Sequence, residues 1–485
     1  NNNKVLTTEE INKYYEQHPS LKRFTLDNTH NKAYDKNADY LNSILSRTFT
    51  LIWSFSDGTS TAGTLWLFDY HKESDTKYKL FFATNYHVAI EMYHDNDYGF
   101  NKQPNRNKKV IEVRLGTLSD RYDLNNTSNP KFTYKVLDKD MWPRNLFLAH
   151  NFMDDSVSNL YNGRYYTEFA IMEFDFDIAQ FNKLPAIDPN LPLSERKIKI
   201  VENRRIRDEN RYLTKKLNTA IVSLDTSIAR FASGSYPMQT NSLPYATMDY
   251  GSVNWYVNNV LTRDEDGNFI PPNTINKINK VSEDITSYFG DVKLQQWPQW
   301  DYFAGYPFIV ANAKNRLLYN VDKSLLNSTD QVIPKVSQNF WRTLVDYNGQ
   351  PIASHGVQFN EEEKSKFYGL AYENLAPYDI VGGASGSLVV NESNLPIGLL
   401  FGKDRTQNVL NNDDKWITTY RSLNVAFSLN APFWSNNINA YVQPYNLIDG
   451  RNKKKFPHQI NSYKETLDKI YGNNYQTAIF KDNHE

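Results

Sequence analysis

Six runs of β-branched and aromatic residues, each cut off by polar text, constrain the fold of this chain more than any other feature. They are TFTLIWSF (48–55), TAGTLWLFDY (61–70), YKLFFATNYHV (78–88), KKVIEVRLG (108–116), FTYKVL (132–137) and TEFAIMEFDF (167–176). Such runs predict strands, and the turn segments SDGTS and HKESDTK between the first three predict short connections. Short strands without intervening helical patterns point to an antiparallel barrel rather than to alternating βαβ units. Strand-like text returns at DYFAGYPFIVAN (301–312), NFWRTLVDY (339–347) and YDIVGGASGSLVVNESNLPIGLLFGKD (378–404), the last reading as strand, NESN turn and strand.

Helical patterns lie at the ends and in the middle. TTEEINKYYEQ (7–17) opens with capping residues, and NSYKETLDKIYGN (461–473) runs at helical spacing. Between 184 and 298 the strand pattern breaks. There ERKIKIVENRRIRDENRYLTKKL (195–217) mixes charges densely and reads as a charged helix or connecting arm. Its basic excess also admits a nucleic-acid patch, although a solvated helical face is the commoner origin of such text.

Composition removes several classes of function. With 485 residues there is room for two or more domains. A formal net charge of −1 gives no general attraction to nucleic acid or to an anionic membrane. The absence of cysteine excludes disulfides, thiolate metal sites and cysteine nucleophiles together. No apolar run approaches the length of a membrane-spanning helix. The chain starts NNNKVL rather than with Met, so an initiating segment is expected to have been removed, and nothing in the sequence says whether it was a signal or an anchor.

Chemistry concentrates in three places. In GGASGS (382–387) the glycines weaken a strand unless the backbone turns tightly or something approaches it closely. There the N–H groups of Gly383 and Ser385 can be aimed at one spot beside the Ser385 hydroxyl, and Gly386 is expected to keep the adjoining space open. A serine becomes a nucleophile when a base sits on it and donors await the oxyanion. Of nine histidines, His87 alone projects from the end of an apolar strand. Glu168, ahead of FAIM, is placed to orient it, with Asp154, Asp155 and Asp175 as alternatives. His87, Glu91 and His94 at i, i+4 and i+7 form a rival zinc arrangement, but HExxH is absent.

The order TxxHV, acid-FAIM, GxSGS, with AGTLWL (62–67) before the histidine and GYP (305–307) in the second strand-rich half, resembles the trypsin-like serine proteases, particularly their bacterial branch. The resemblance covers about residues 46–183 and 299–435. It implies a mainly β, two-barrel chymotrypsin/trypsin-like fold with helical N- and C-terminal extensions and a large inter-barrel insertion. The organisation expected is residues 1–45 as the N-terminal extension, 46–183 the first barrel, 184–298 the insertion, 299–440 the second barrel and 441–485 the C-terminal extension. The implied machinery is Ser385 as nucleophile, His87 as base and then acid, Glu168 as orienting carboxylate, and the N–H groups of Gly383 and Ser385 as oxyanion hole. Substrate is expected to bind at Asp379, Leu400, Phe401 and Gly402. A carboxylate at Asp379 would favour Lys or Arg, and a plain turn Asp is the alternative. No cofactor or metal is implied. Glu168 stands where the family usually carries Asp, and Ala384 where digestive members carry Asp to pair with a freed N-terminus, so activation by propeptide cleavage is not expected.

Cysteine-free, large, insertion-bearing and rich in Asn, Lys and Tyr, the whole chain is similar to the mycoplasma immunoglobulin proteases. That similarity implies an extracellular, cell-surface protein held through an N-terminal anchor, immunoglobulin G as substrate, and an immunoglobulin-binding partner protein that captures it. The insertion would then be a substrate-recognition element or a brace. The alternative is a catalytically inactive trypsin-fold surface protein that binds a host protein.

Overall fold

The computed structural model describes residues 34–101, 108–119, 130–157, 165–234, 236, 239, 241–246, 302–319, 342–344, 366–369, 371–376, 382–391, 393–410, 416–429, 433–435 and 440–481. The helix expected at 7–17, Asp379 and the connecting region beyond residue 246 lie outside them.

The first six strand runs form strands. They are β1 (Thr48–Phe55), β2 (Ser60–Lys72), β3 (Lys77–Thr84), β4 (Val110–Leu118) and β5 (Phe132–Val136), then β7 (Tyr165–Asp177) after an additional strand, β6 (Arg144–His150). β3 ends at Thr84, short of the expected residue 88, because Asn85 caps a short helix, Tyr86–Glu91. The second half contributes β8 (Tyr302–Gly305), the small hairpin β9 (Phe308–Ile309) and β10 (Lys314–Asn315), β11 (Leu318–Tyr319), β12 (Arg342–Leu344), β13 (Lys366–Phe367), β14 (Ala371–Ala376), β15 (Leu388–Val390), β16 (Pro396–Leu410) and β17 (Trp416–Ala426).

These strands assemble into two large sheets. One runs β13-β7-β3-β2-β1-β4-β5, with β6 also paired to β7, and the other runs β11-β8-β15-β16-β17-β14-β12. The protein is therefore mainly β. Neither sheet closes among the described residues, since the outermost strands of each path do not pair with one another. The expected pair of closed six-stranded barrels is replaced, at this level, by two open sheets. One strand crosses between halves: β13, from the second half of the chain, adds in parallel to β7, with Lys366 opposite Tyr165 and Phe367 opposite Tyr166.

A single apolar cluster spans both halves, and aromatic rings join them. Phe68 of β2 stacks on Tyr245 at 4.3 Å and meets Phe427 edge-on at 6.4 Å. Stacked and edge-on aromatic pairs each add about 1 kcal/mol beyond their burial. The helix Tyr34–Leu45 buries Leu41, Ile44 and Leu45, an i, i+3, i+4 stripe, and Tyr40 stacks on Tyr302 at 4.1 Å.

The charged text at 195–217 is helical, as one of its two readings had it, and the helix is longer, Leu193–Arg230. At 38 residues it is about 57 Å long. It packs from Asn210 onward: Asn210, Leu213, Leu217, Ala220 and Leu224 are buried, whereas Leu193, Ile198 and Val201 are exposed. Lys135 Nζ donates to Asn210 Oδ1 at 2.8 Å and Tyr212 Oη to the Leu118 carbonyl at 2.6 Å, so the helix is tied to the first sheet. Beyond it, Tyr245 donates to the Phe68 carbonyl, and Ala246 N–H bonds the Pro396 carbonyl at 2.9 Å.

The C-terminal helix expected at 461–473 is Tyr463–Tyr471, capped by Ser462, whose Oγ accepts from Glu465 N–H at 3.3 Å. It is latched to the first sheet through two buried carboxylates, Asp69 and Glu173, the latter accepting from Tyr471 Oη at 2.5 Å. Asp69 accepts from Tyr463 Oη at 2.8 Å and from Ile479 N–H at 3.1 Å. Burial pushes the Asp69 carboxyl up to about 7, against the pull of hydrogen bonds from Thr477, Tyr463 and the amides of Ile479 and Tyr70.

Candidate active site

The antiparallel pairing of β3 with β7 sets Thr84 opposite Ala170, so the chain leaving β3 emerges beside Glu168. The Asn85 side chain secures that exit by donating to the Glu168 carbonyl at 3.0 Å. His87 follows on the first turn of the short helix. Its Nδ1 lies 2.8 Å from Glu168 Oε2, and its backbone N–H donates to the same oxygen at 3.2 Å. Because a carboxylate oxygen accepts, Nδ1 carries the hydrogen, and Nε2 is left as the basic nitrogen.

The Glu168 side chain is fully buried and that of His87 is 19% exposed. Burial alone would lower the histidine. The charge and hydrogen bond of Glu168, with the charge of Glu91, outweigh it and hold His87 above its ordinary range.

Two of the three alternative carboxylates are engaged elsewhere. Asp154 pairs with His458 Nδ1 at 3.0 Å, and Asp175 pairs with Lys79 at 2.7 Å and Arg144 at 3.3 Å. Asp155 is exposed. In the rival zinc arrangement, His94 has both ring nitrogens occupied, Nε2 with the Pro143 carbonyl at 2.8 Å and Nδ1 with Asn96 N–H at 3.2 Å.

The GGASGS stretch is a turn running into β15, and four consecutive carbonyls in it have fixed partners. The Gly382 carbonyl accepts from Phe308 N–H at 2.9 Å and that of Gly383 from Thr64 Oγ1 at 2.8 Å. The Ala384 carbonyl accepts from Ser387 N–H at 3.1 Å and from Ser387 Oγ, and that of Ser385 from Thr64 N–H at 2.9 Å. In a trans peptide the N–H points opposite to the C=O. The Gly383 N–H therefore faces away from Phe308, and the Ser385 N–H away from Ser387, each held by a lock on its own peptide.

The glycines have specific reasons. Gly383 has φ +93°, and a Cβ there would lie 2.4 Å from Phe308 N. Gly386 has φ +96°, and its Cβ would strike the Thr64 carbonyl at 2.0 Å and Thr84 Oγ1 at 2.5 Å. The space beside Gly386 is thus filled by β2 and β3 rather than kept open. That packing sets the Ser385 turn against the end of β3, three residues before His87. Gly305 of the GYP motif leaves room for the Ser387 hydroxyl, which a Cβ would meet at 1.8 Å.

Of the expected substrate-binding residues, Leu400 and Phe401 have fully buried side chains, and Gly402 is buried. Phe401 stacks on Phe367 at 6.0 Å. Leu400 contributes its backbone to the turn: its carbonyl accepts from Gly386 N–H at 2.8 Å and its N–H donates to the Ser387 carbonyl at 2.9 Å. Thr64 and Ser387 went unrecognised in the sequence reading; the GTxWL and GxSGS motifs contain them, but nothing in those strings says that they meet.

The sequence profile of the mycoplasma immunoglobulin protease family matches residues 38–402, a span that takes in His87, Glu168 and the whole GGASGS turn. The chain belongs to this family. In this member of the mycoplasma immunoglobulin protease family, Glu168 lies on β7 of the first sheet, His87 on the short helix that follows β3, and Ser385 in the turn ahead of β15 in the second sheet. An uncharacterized lipoprotein of Mycoplasma capricolum subsp. capricolum (strain California kid) is 25% identical to the chain over 483 residues, covering 90% of this chain and 68% of that protein. A solved structure of the mycoplasma MIB and MIP proteins is similar at 16% identity and a TM-score of 0.42. The alignment covers 87% of this chain, which spans 60% of the length of the matched one.

Proposed function

We propose that the chain is a serine endopeptidase of the trypsin-like type that cleaves immunoglobulin heavy chain through an acyl-enzyme. The observation that carries this reading is the 2.8 Å contact between His87 Nδ1 and the buried Glu168, beside a turn whose serine is flanked by locked peptides. Ser385 Oγ attacks the scissile carbonyl and its proton passes to His87 Nε2. Glu168 holds the tautomer and supports the imidazolium, which then protonates the leaving amine. The N–H groups of Gly383 and Ser385 receive the oxyanion. Water, activated by the same histidine, releases the acyl group.

The two sheets correspond in this reading to the two trypsin-like barrels, with residues 46–183 and 299–440 as their extents. The 184–298 region between them is a substrate-recognition element, consistent with the exposed first half of the helix Leu193–Arg230. Family membership supports an immunoglobulin substrate. The lipoprotein relative accords with a place on the cell surface, and an immunoglobulin-binding partner that presents the antibody completes the proposal.

The test is incubation of immunoglobulin G with the wild type and Ser385→Ala, with and without an immunoglobulin-binding partner, followed by mass measurement of the fragments. Discrete heavy-chain fragments from the wild type alone are expected, with Ser385→Ala folded and inert. Equal cleavage by both proteins would sink the proposal. No cleavage by either, with both folded, would favour an inactive binding protein.

A further inference from the structure

Thr64 supplies two of the four locks on the Ser385 turn, and it belongs to the opposite sheet. Its buried hydroxyl donates to the Gly383 carbonyl at 2.8 Å and accepts from Tyr306 N–H at 3.0 Å. Its own amide donates to the Ser385 carbonyl, and its carbonyl accepts from Thr84 Oγ1 at 2.9 Å. One residue thus joins the turn, the end of β8 and the end of β3.

We infer that Thr64 is a positioning residue whose hydroxyl keeps the oxyanion donors aimed. This rests on the reading of Ser385 as nucleophile. The turn is soft at its glycines. Gly383 at φ +93° sits in a region that glycine leaves at little cost, and Gly382 beside it has no neighbour within 4 Å of a built Cβ. Nothing steric at Gly382 holds this stretch in register. The Thr64 hydroxyl fixes the Gly383–Ala384 peptide, and with it the relative direction of the donors on either side, Gly383 N–H and Ser385 N–H. Valine has nearly the same shape but can neither donate to Gly383 nor accept from Tyr306. A valine variant would keep the packing and lose the aim.

The experiment compares the wild type with Thr64→Val, Thr64→Ala and Thr64→Ser in the full chain. It measures the rate of Ser385 modification by a fluorophosphonate, in which Oγ displaces fluoride from phosphorus, together with kcat and KM on a cleaved peptide. Rates are normalised to the folded fraction from thermal melts. A loss of about 10- to 100-fold in labelling rate and kcat is expected for Val and Ala, with KM nearly unchanged and Ser close to wild type. A purely structural role would lower the melting temperature without moving the normalised rates. Val and Ala labelling as fast as a labelled wild type would overturn the inference alone. A folded wild type that does not label would overturn the nucleophile reading and this inference with it.

Discussion

His87 presents two hydrogens, Nδ1–H and its backbone N–H, to a single oxygen of Glu168, at 2.8 and 3.2 Å. The carboxylate is therefore fixed relative to the start of the short helix as well as to the ring. A side chain one methylene longer than Asp is held at two points, and the ring has one orientation available to it.

Glu168→Gln keeps the shape but removes the charge, and an amide that turns its NH2 toward Nδ1 favours the wrong tautomer. A fall in kcat of about 10²- to 10⁴-fold is expected, with KM less affected. Steady-state kinetics on a peptide cut from the immunoglobulin heavy chain check this; an unchanged kcat would move the orienting role elsewhere.

The pH profile follows from the raised His87. Activity needs the neutral ring, so kcat/KM is expected to rise with a midpoint above about 6.5, the ordinary histidine value. Stability runs the other way. The His87–Glu168 pair contributes fully below about pH 6.5 and its contribution is lost as pH rises through the folded His87 value. Stopped-assay rates and thermal melts across pH 5–9 measure the two trends, and a midpoint below 6 would contradict the pairing.

Gly305→Ala places a methyl 1.8 Å from the Ser387 hydroxyl, with Thr64 Oγ1 at 3.2 Å. The Ser387 hydroxyl must then release the Ala384 carbonyl, which leaves the Ser385 peptide held by the Ser387 N–H alone. A drop in kcat of at least about tenfold, in a protein that still folds, is expected. Wild-type kcat would show that the Ser387 bond is dispensable.

Asp69 makes a separate prediction. Its carboxyl is held up to about 7, so the folded state keeps a proton that the unfolded chain has released above about 4. Stability from this group falls as pH rises from about 4 to 7. Asp69→Asn is expected to flatten that fall and to be the more stable protein at pH 8, as read by denaturant midpoints. An unchanged pH slope would mean that another group carries it.

The strand text was legible because its period and bounding turns are local. TFTLIWSF became β1 with the expected limits, Thr48–Phe55. The helix at Leu193–Arg230 was legible as charged text of low strand character. What escaped depends on distant partners. RNLFLAH reads as a short apolar run with no alternation, and only its pairing with β7 makes it a strand. At the site, His87 and Glu168 were legible as an apolar-strand histidine and a strand-flanking acid. Thr64 was not, since its role arises from Gly383 and Tyr306, more than two hundred residues away. Leu400 and Phe401 were placed with substrate on resemblance, yet their side chains are core.

The parallel strand β13 bears on how the molecule can move. Lys366 and Phe367 lie along Tyr165 and Tyr166, and Tyr368 N–H bonds the Tyr166 carbonyl at 2.7 Å, two residues before Glu168. A stitch from the second half of the chain is thus sewn into the strand that carries Glu168. Swinging the halves apart would tear main-chain bonds at that seam. The two halves are thus riveted together along β7, and the strand that carries Glu168 cannot shift without carrying β13 with it.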